Sequence, residues 1–236
     1  MRVNIHFMKT RLISGAFLVA LFFSLPTSYA APLIYGGTLT PVPVGTGPAV
    51  GASLLFSTGP QAFTAPDYSG NLFSSVYVND TSNPYGLGDL TFTYLIQMGA
   101  GTTDPLESFS ISSFSSYLTD VSYTTASLSD IVPTSVNRSA SGSVINFSYG
   151  VAAPLGAGTT SALMVIYTDA TSFAPTYAGF NDGVGTFGNS VAPAQLSSVP
   201  EPGSPALLGG FGLIGLLFFQ HRRKSQTQAA CLLSSK

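Results

Sequence analysis

Between residues 31 and 198 the chain has no cysteine, histidine or lysine, it has no tryptophan anywhere, and its one basic residue in that span is Arg138. Cys231, His6 and His221 all lie in the terminal segments. Each absence removes a chemistry. Without cysteine there is no disulfide, thiolate nucleophile or thiolate ligand; without histidine there is no Ser–His pair and no imidazole base or metal ligand. Without lysine there is no Schiff base. The sequence therefore predicts a protein that is not an enzyme, with no catalytic residue, no metal site and no cofactor. Stability has to come from packing, which a span of 168 residues can supply without disulfides by burying roughly 70% of its unfolded surface.

Positive charge is scarce where it would matter for binding. Arg2, Lys9, Arg11, Arg222, Arg223, Lys224 and Lys236 are in the tails, while all acidic residues but Glu201 lie between them. One basic and nine acidic residues leave residues 31–198 with a formal charge of −8, and such a surface repels phosphate backbones, which excludes nucleic acid as a partner. The lone arginine also predicts a single tryptic site, after Arg138.

Long hydrophobic runs occur only at the ends. Near the N-terminus a basic region precedes the 14-residue run Leu12–Leu25, Pro26 breaks the helix, and Ser28 and Ala30 occupy the −3 and −1 positions of a cleavage site. This is the pattern of a secretory signal peptide cut by signal peptidase after Ala30. An uncleaved anchor is the alternative, and the run is short for one. Near the C-terminus, Ser204 caps a helix that opens on Pro205, and ALLGGFGLIGLLFF follows, Ala206–Phe219, long enough for about 21 Å of helix. Extended through His221 it can just span a thin bilayer. Its four glycines argue against a buried core helix, and Arg222, Arg223 and Lys224 hold the following end in the cytoplasm by the positive-inside rule.

Val199, Pro200, Glu201 and Pro202, the apolar helix and the basic cluster together resemble the C-terminal sorting signal of PEP-CTERM proteins. The resemblance implies a Gram-negative exporter that makes exopolysaccharide, an exosortase that processes the chain at or near the motif, transient residence in the inner membrane, and delivery to the cell surface or extracellular matrix. It implies no activity. The chain accordingly divides into a signal peptide (1–30), an ectodomain (31–190), a Pro/Ser-rich linker carrying the VPEP motif (191–204), a transmembrane helix (205–221) and a basic cytoplasmic tail (222–236). The expected role is structural or adhesive, in an exopolysaccharide or biofilm matrix; the alternatives are a carbohydrate-binding module and, third, a carboxylate-dependent hydrolase.

Period-two alternation dominates the ectodomain. Asp89–Met98, Ser143–Gly150 and Ser161–Asp169 read as strands, with Leu90, Phe92, Tyr94 and Ile96 on one face of the first. Weaker strands are expected at Ala52–Thr58, Leu72–Asn79, Ser108–Phe114, Leu118–Thr125, Pro175–Phe180 and Gly185–Val191. Turn-forming Asn, Asp, Gly and Pro separate them, and no stretch offers a capped apolar stripe of helical period. The expectation is an all-β antiparallel sandwich, with a partly open barrel as the alternative.

Candidate chemistry is thin. Asp104 and Glu107 form a carboxylate pair, but Asp104 precedes Pro105 in a turn context. Asn79, Asp80, Asn83 and Asp89, or Asn181 and Asp182, offer hard oxygens suited to calcium without the spacing of a calcium loop, and turn formation is the reading taken. Ser and Thr make up 45 of the 168 residues, as the wet faces of a sandwich require. A sugar platform would have to come from tyrosines such as Tyr68, Tyr85, Tyr117 or Tyr177.

Overall fold

The computed structural model describes residues 30–44 and 47–195. The expected signal run and Ser28, the motif Val199–Pro202, the helix at 205–221 and Arg222, Arg223 and Lys224 lie outside the described residues. Ala30 falls inside them, one residue ahead of the first strand.

Among the described residues thirteen strands follow in chain order: β1 Ala31–Pro32, β2 Thr38–Leu39, β3 Val42–Pro43, β4 Ser53–Thr64, β5 Ser69–Val78, β6 Thr91–Met98, β7 Ser108–Ile111, β8 Thr119–Thr124, β9 Ser135–Arg138, β10 Ile145–Ser148, β11 Leu163–Thr168, β12 Phe173–Asn181 and β13 Gly185–Pro193. No helix occurs among the described residues, and so none there is long and apolar enough to cross a membrane. The strands form two sheets. The first runs β1-β8-β11-β6-β5-β4, with β3 also paired to β8, and the second runs β13-β12-β7-β10-β9-β2. Every pairing is antiparallel except β3 with β8. The architecture is an all-β, sandwich-like pair of antiparallel sheets.

The core forms because alternate residues of each sheet face the other. Leu90, Phe92, Tyr94 and Ile96 are all buried, as their spacing predicts, and face Phe109, Ile111, Ile145, Phe147 and Phe180 of the second sheet. Phe109 is the hub of an aromatic chain, with ring centroids 5.5 Å from Tyr94, 6.1 Å from Phe147 and 5.7 Å from Phe180. Polar ties close the sandwich along one side: Tyr94 donates to the Val191 carbonyl at 2.8 Å, and the Ser74 and Ser190 hydroxyls meet at 2.9 Å. There β4 and β13, edges of different sheets, are joined by Thr186 Oγ1 donating to the Thr64 carbonyl.

All nine expected strands are present. β4 runs further than the alternation suggests, through Gly59 and Pro60, because it is an edge strand where two register shifts and a missing N–H are tolerated. β9 escaped the pattern for a different reason. Its inward positions are Val136 and Arg138, so a cation stands where the alternation calls for an apolar residue. β1, β2 and β3 are two residues long each and carry no periodic signal.

Two register rows of the outer face of the second sheet carry no charge and are polar apart from Phe187 and glycine at one edge. In one register row Asn181, Ser108, Ser148 and Ser135 lie side by side on β12, β7, β10 and β9. The next row runs across all six strands, from Phe187 through Gly179, Ser110, Asn146 and Asn137 to Thr38.

Candidate functional site

Three loops meet at one end of the sandwich, between β4 and β5, β6 and β7, and β12 and β13. They bring Asp67, Asp104 and Asp182 together, with one carboxylate oxygen from each within 4.8 Å of the others. Asp104 is exposed and the other two are half-buried. The loops are fixed by backbone bonds: the Asp67 carbonyl accepts from the N–H groups of Thr103 and Asp104, and Asp182 Oδ1 accepts from Val184 N at 2.8 Å. Asp67 Oδ1 and Asp182 Oδ2 are themselves buried without a hydrogen-bond partner. The nearby Tyr68 hydroxyl donates to the carbonyls of Phe180 and Val184, and burial, reinforced by the charges of Asp182 and Asp67, pushes its pKa up to about 12. Three like charges at such range repel, and a hard divalent cation is the natural counter-ion for an all-oxygen set of this kind. These are the residues among those described that could hold a metal ion.

The sequence candidates sort differently from expectation. Asp104 is grouped with Asp67 and Asp182, and it also lines a cavity shared with Glu107, Pro105, Leu106, Tyr149 and Pro154, so the two carboxylates of the expected pair do open on one cavity. Asp80 and Asn83 do act as turn formers. Asp80 Oδ1 accepts from Ala49 N and Ser82 N, both at 2.9 Å, and Asn83 accepts from Tyr85 N while donating to the carbonyls of Leu90 and Thr168. Asp182 belongs to the cluster and Asn181 stands on the outer face of the second sheet. Asp67 was not among the sequence candidates, because nothing in its local sequence signals a partner in two distant loops.

Of the four tyrosines considered for a sugar platform, three serve the fold. Tyr68 and Tyr117 are buried, and Tyr85 donates to Asp120, a carboxyl that burial holds above the ordinary range. Tyr177 alone is open, at 67% exposure, and Phe187 on the neighbouring strand is 74% exposed.

Arg138 is not the accessible tryptic site that composition suggests. It is 3% exposed and all five of its donors are used. Nε donates to Gly142 O; Nη1 to Leu33 O and Thr119 Oγ1; Nη2 to Phe114 O and Tyr117 O, at 2.6–3.1 Å. Burial pulls its pKa below the ordinary value, while the charge of Asp169 and the neighbouring tyrosines oppose that.

Residues 198–224 match the family model of the PEP-CTERM protein-sorting motif. The chain carries a PEP-CTERM sorting signal. The motif implies an exported, membrane-transiting protein of Gram-negative bacteria that is sorted and processed by an exosortase. The match covers the signal and stops short of the sandwich, whose last strand ends at Pro193. No curated protein and no solved structure matches the chain.

Proposed function

We propose that the PEP-CTERM signal delivers this sandwich to the cell surface or to an exopolysaccharide matrix, where it acts as a non-catalytic structural or adhesive component. The observation that carries the reading is where the polar side chains are employed. Arg138, Asp80, Asn83, Tyr68, Tyr94 and Tyr85 with Asp120 are committed to bonds that hold loops and sheets together, rather than converging on a cavity beside a nucleophile. Meanwhile the outer rows of the second sheet carry half-buried hydroxyls and amides, among them Ser108, Ser110, Asn137 and Asn146.

The test is fractionation of a producing culture combined with intact mass measurement. Wild type is expected in the surface or matrix fraction as a form that begins near Ala31 and ends near Val199. Glu201→Ala is expected to accumulate unprocessed in the membrane fraction. Wild type that keeps the C-terminal run and stays in the membrane would sink the reading.

A carbohydrate-binding module is the second reading, favoured by the open pair Tyr177 and Phe187. A carboxylate-dependent hydrolase would require two acidic residues whose alanine variants each abolish glycan turnover. The grouping of Asp104 with two other carboxylates supports a charge cluster more than an acid and base kept apart for water.

A further inference from the structure

From the outer face of the second sheet we infer that this domain binds a neutral polysaccharide chain laid across the strands, with the rings of Phe187 and Tyr177 as its stacking end. This rests on the matrix reading above and names the ligand class and the face.

The row Phe187, Gly179, Ser110, Asn146, Asn137 and Thr38 is continuous in register across six strands. Five inter-strand spacings of about 4.8 Å give it a length of about 24 Å. That is the scale of an extended oligosaccharide. One aromatic ring is followed by hydroxyls and amides, which can both donate to and accept from sugar hydroxyls. They sit on paired strands, so little ordering entropy is lost when they engage.

Gly179 stands opposite the aromatic end. A side-chain carbon there would meet Ser110 Oγ at 2.7 Å, and Phe187 Cε1 and Cδ1 at the ordinary contact distances of 3.7 and 3.9 Å, so the bare strand lets the Ser110 hydroxyl and the Phe187 ring approach each other across it. The ring remains 74% exposed. Tyr177, two residues before Gly179, projects from the same face and pairs with Asn189. The inner positions of β13 explain why an aromatic stands outside at all. Gly188 and Ser190 face inward, and the Phe180 ring already fills the space beneath Gly188, 3.2 Å from where a Cβ would stand.

Charge decides the class of polymer. Acidic polysaccharides need a cation on the protein. The one guanidinium of residues 31–198 is buried and fully bonded, while nine carboxylates give those residues a formal charge of −8. Neither register row contains a charged residue. An uncharged, hydroxyl-rich chain meets no electrostatic penalty there, whereas a uronate polymer does.

The experiment is native electrophoresis of the exported protein, recovered from producing cells, through gels cast with dextran, hydroxyethyl cellulose or alginate. Wild type should be slowed at least two-fold in one of the neutral gels and not in alginate. Tyr177→Ala with Phe187→Ala should run as in a blank gel while keeping the wild-type urea midpoint, because both side chains are exposed. Asn137→Ala with Asn146→Ala, which spares the aromatics, should show weakened retardation. Retardation that survives in the aromatic variant, or that appears only in alginate, overturns the assignment of this face and ligand. Equal mobility in all gels overturns glycan binding itself. The matrix fraction measured on the same proteins then judges the delivery reading separately.

Discussion

The guanidinium carbon of Arg138 lies 4.3 Å from the centre of the Tyr35 ring. The ring also covers Gly142, where a side-chain carbon would meet it at 2.6 Å, and Tyr35 Oη accepts from Ser116 N. A residue from the N-terminal segment thus closes over a cation that already binds carbonyls from the β7–β8 connection and the β9–β10 hairpin. Contacts of this kind, to carbonyls and a π-face with no carboxylate within bonding distance, are possible because guanidinium is weakly hydrated and has five fixed donors.

The first prediction concerns that residue. The folded protein is expected to resist trypsin at Arg138, and to be cut there once unfolded in urea. Arg138→Lys keeps the charge but cannot reach all five acceptors, and is expected to cost at least about 3 kcal/mol in urea denaturation. Rapid native cleavage after Arg138, or a lysine variant of wild-type stability, would contradict the arrangement.

A pair of tyrosines provides a sharper comparison. Tyr94 and Tyr167 are both buried, yet Tyr94 donates to Val191 O whereas the Tyr167 hydroxyl has only Ser122 Oγ beside it and makes no hydrogen bond of good geometry. A buried hydroxyl without a partner costs about 1–3 kcal/mol, and a made bond contributes about 1 kcal/mol. Tyr167→Phe is therefore expected to leave stability unchanged or raise it, and Tyr94→Phe to lower it by about 1 kcal/mol. The same sign for both would show that partnership is not what separates them.

Alkaline pH should open the sandwich in a defined window. Burial, aided by the charge of Asp80 for Tyr167 and of Asp182 and Asp67 for Tyr68, holds both phenols up at about 12. In the unfolded chain a phenol titrates near 10. The fold favours the protonated form, so this contribution is complete below about pH 10 and is lost as the pH rises through about 12. The urea midpoint should fall across that interval, with the phenolate absorbance of these residues appearing together with unfolding. A constant midpoint from pH 10 to 12 would refute it.

Relieving the acidic cluster should stabilise the protein. Asp104→Asn removes one of three mutually close carboxylates at an exposed position. It is expected to raise the Tm in low-salt, chelator-treated buffer, with the gain shrinking as salt screens the repulsion. A lower Tm would mean that the cluster is held by something other than its loops. A calcium-dependent rise confined to the wild type would identify it as a cation site.

These tests fall partly on residues that local pattern reveals and partly on residues that it hides. Leu90, Phe92, Tyr94 and Ile96 announce a strand and its buried face because one period governs both. Asn83 announces a turn because its side chain bonds its own backbone two residues on. Nothing local joins Asp67 to Asp182, since three loops reach the same end of the sandwich only after both sheets have formed. Phe187 misleads for a related reason. Hydrophobicity alone would send it inward, but the inward room on that strand is already taken by Phe180, and small residues flank it. Arg138 misleads in the opposite direction, because a lone cation in a polar strand reads as surface until five acceptors are found around it.

The seam between β4 and β13 also sets an order of events. β13 is the last strand described, and it ends at Pro193, only a few residues before the matched signal begins at 198. A chain still threading outward lacks the strand that Tyr94, Ser74 and Thr64 bind, so the sandwich cannot finish closing until translocation is nearly over. Four intervening residues reach at most about 14 Å. The sorting motif therefore begins within that distance of a domain that has only just completed itself, and sorting and folding become neighbouring steps of one maturation sequence.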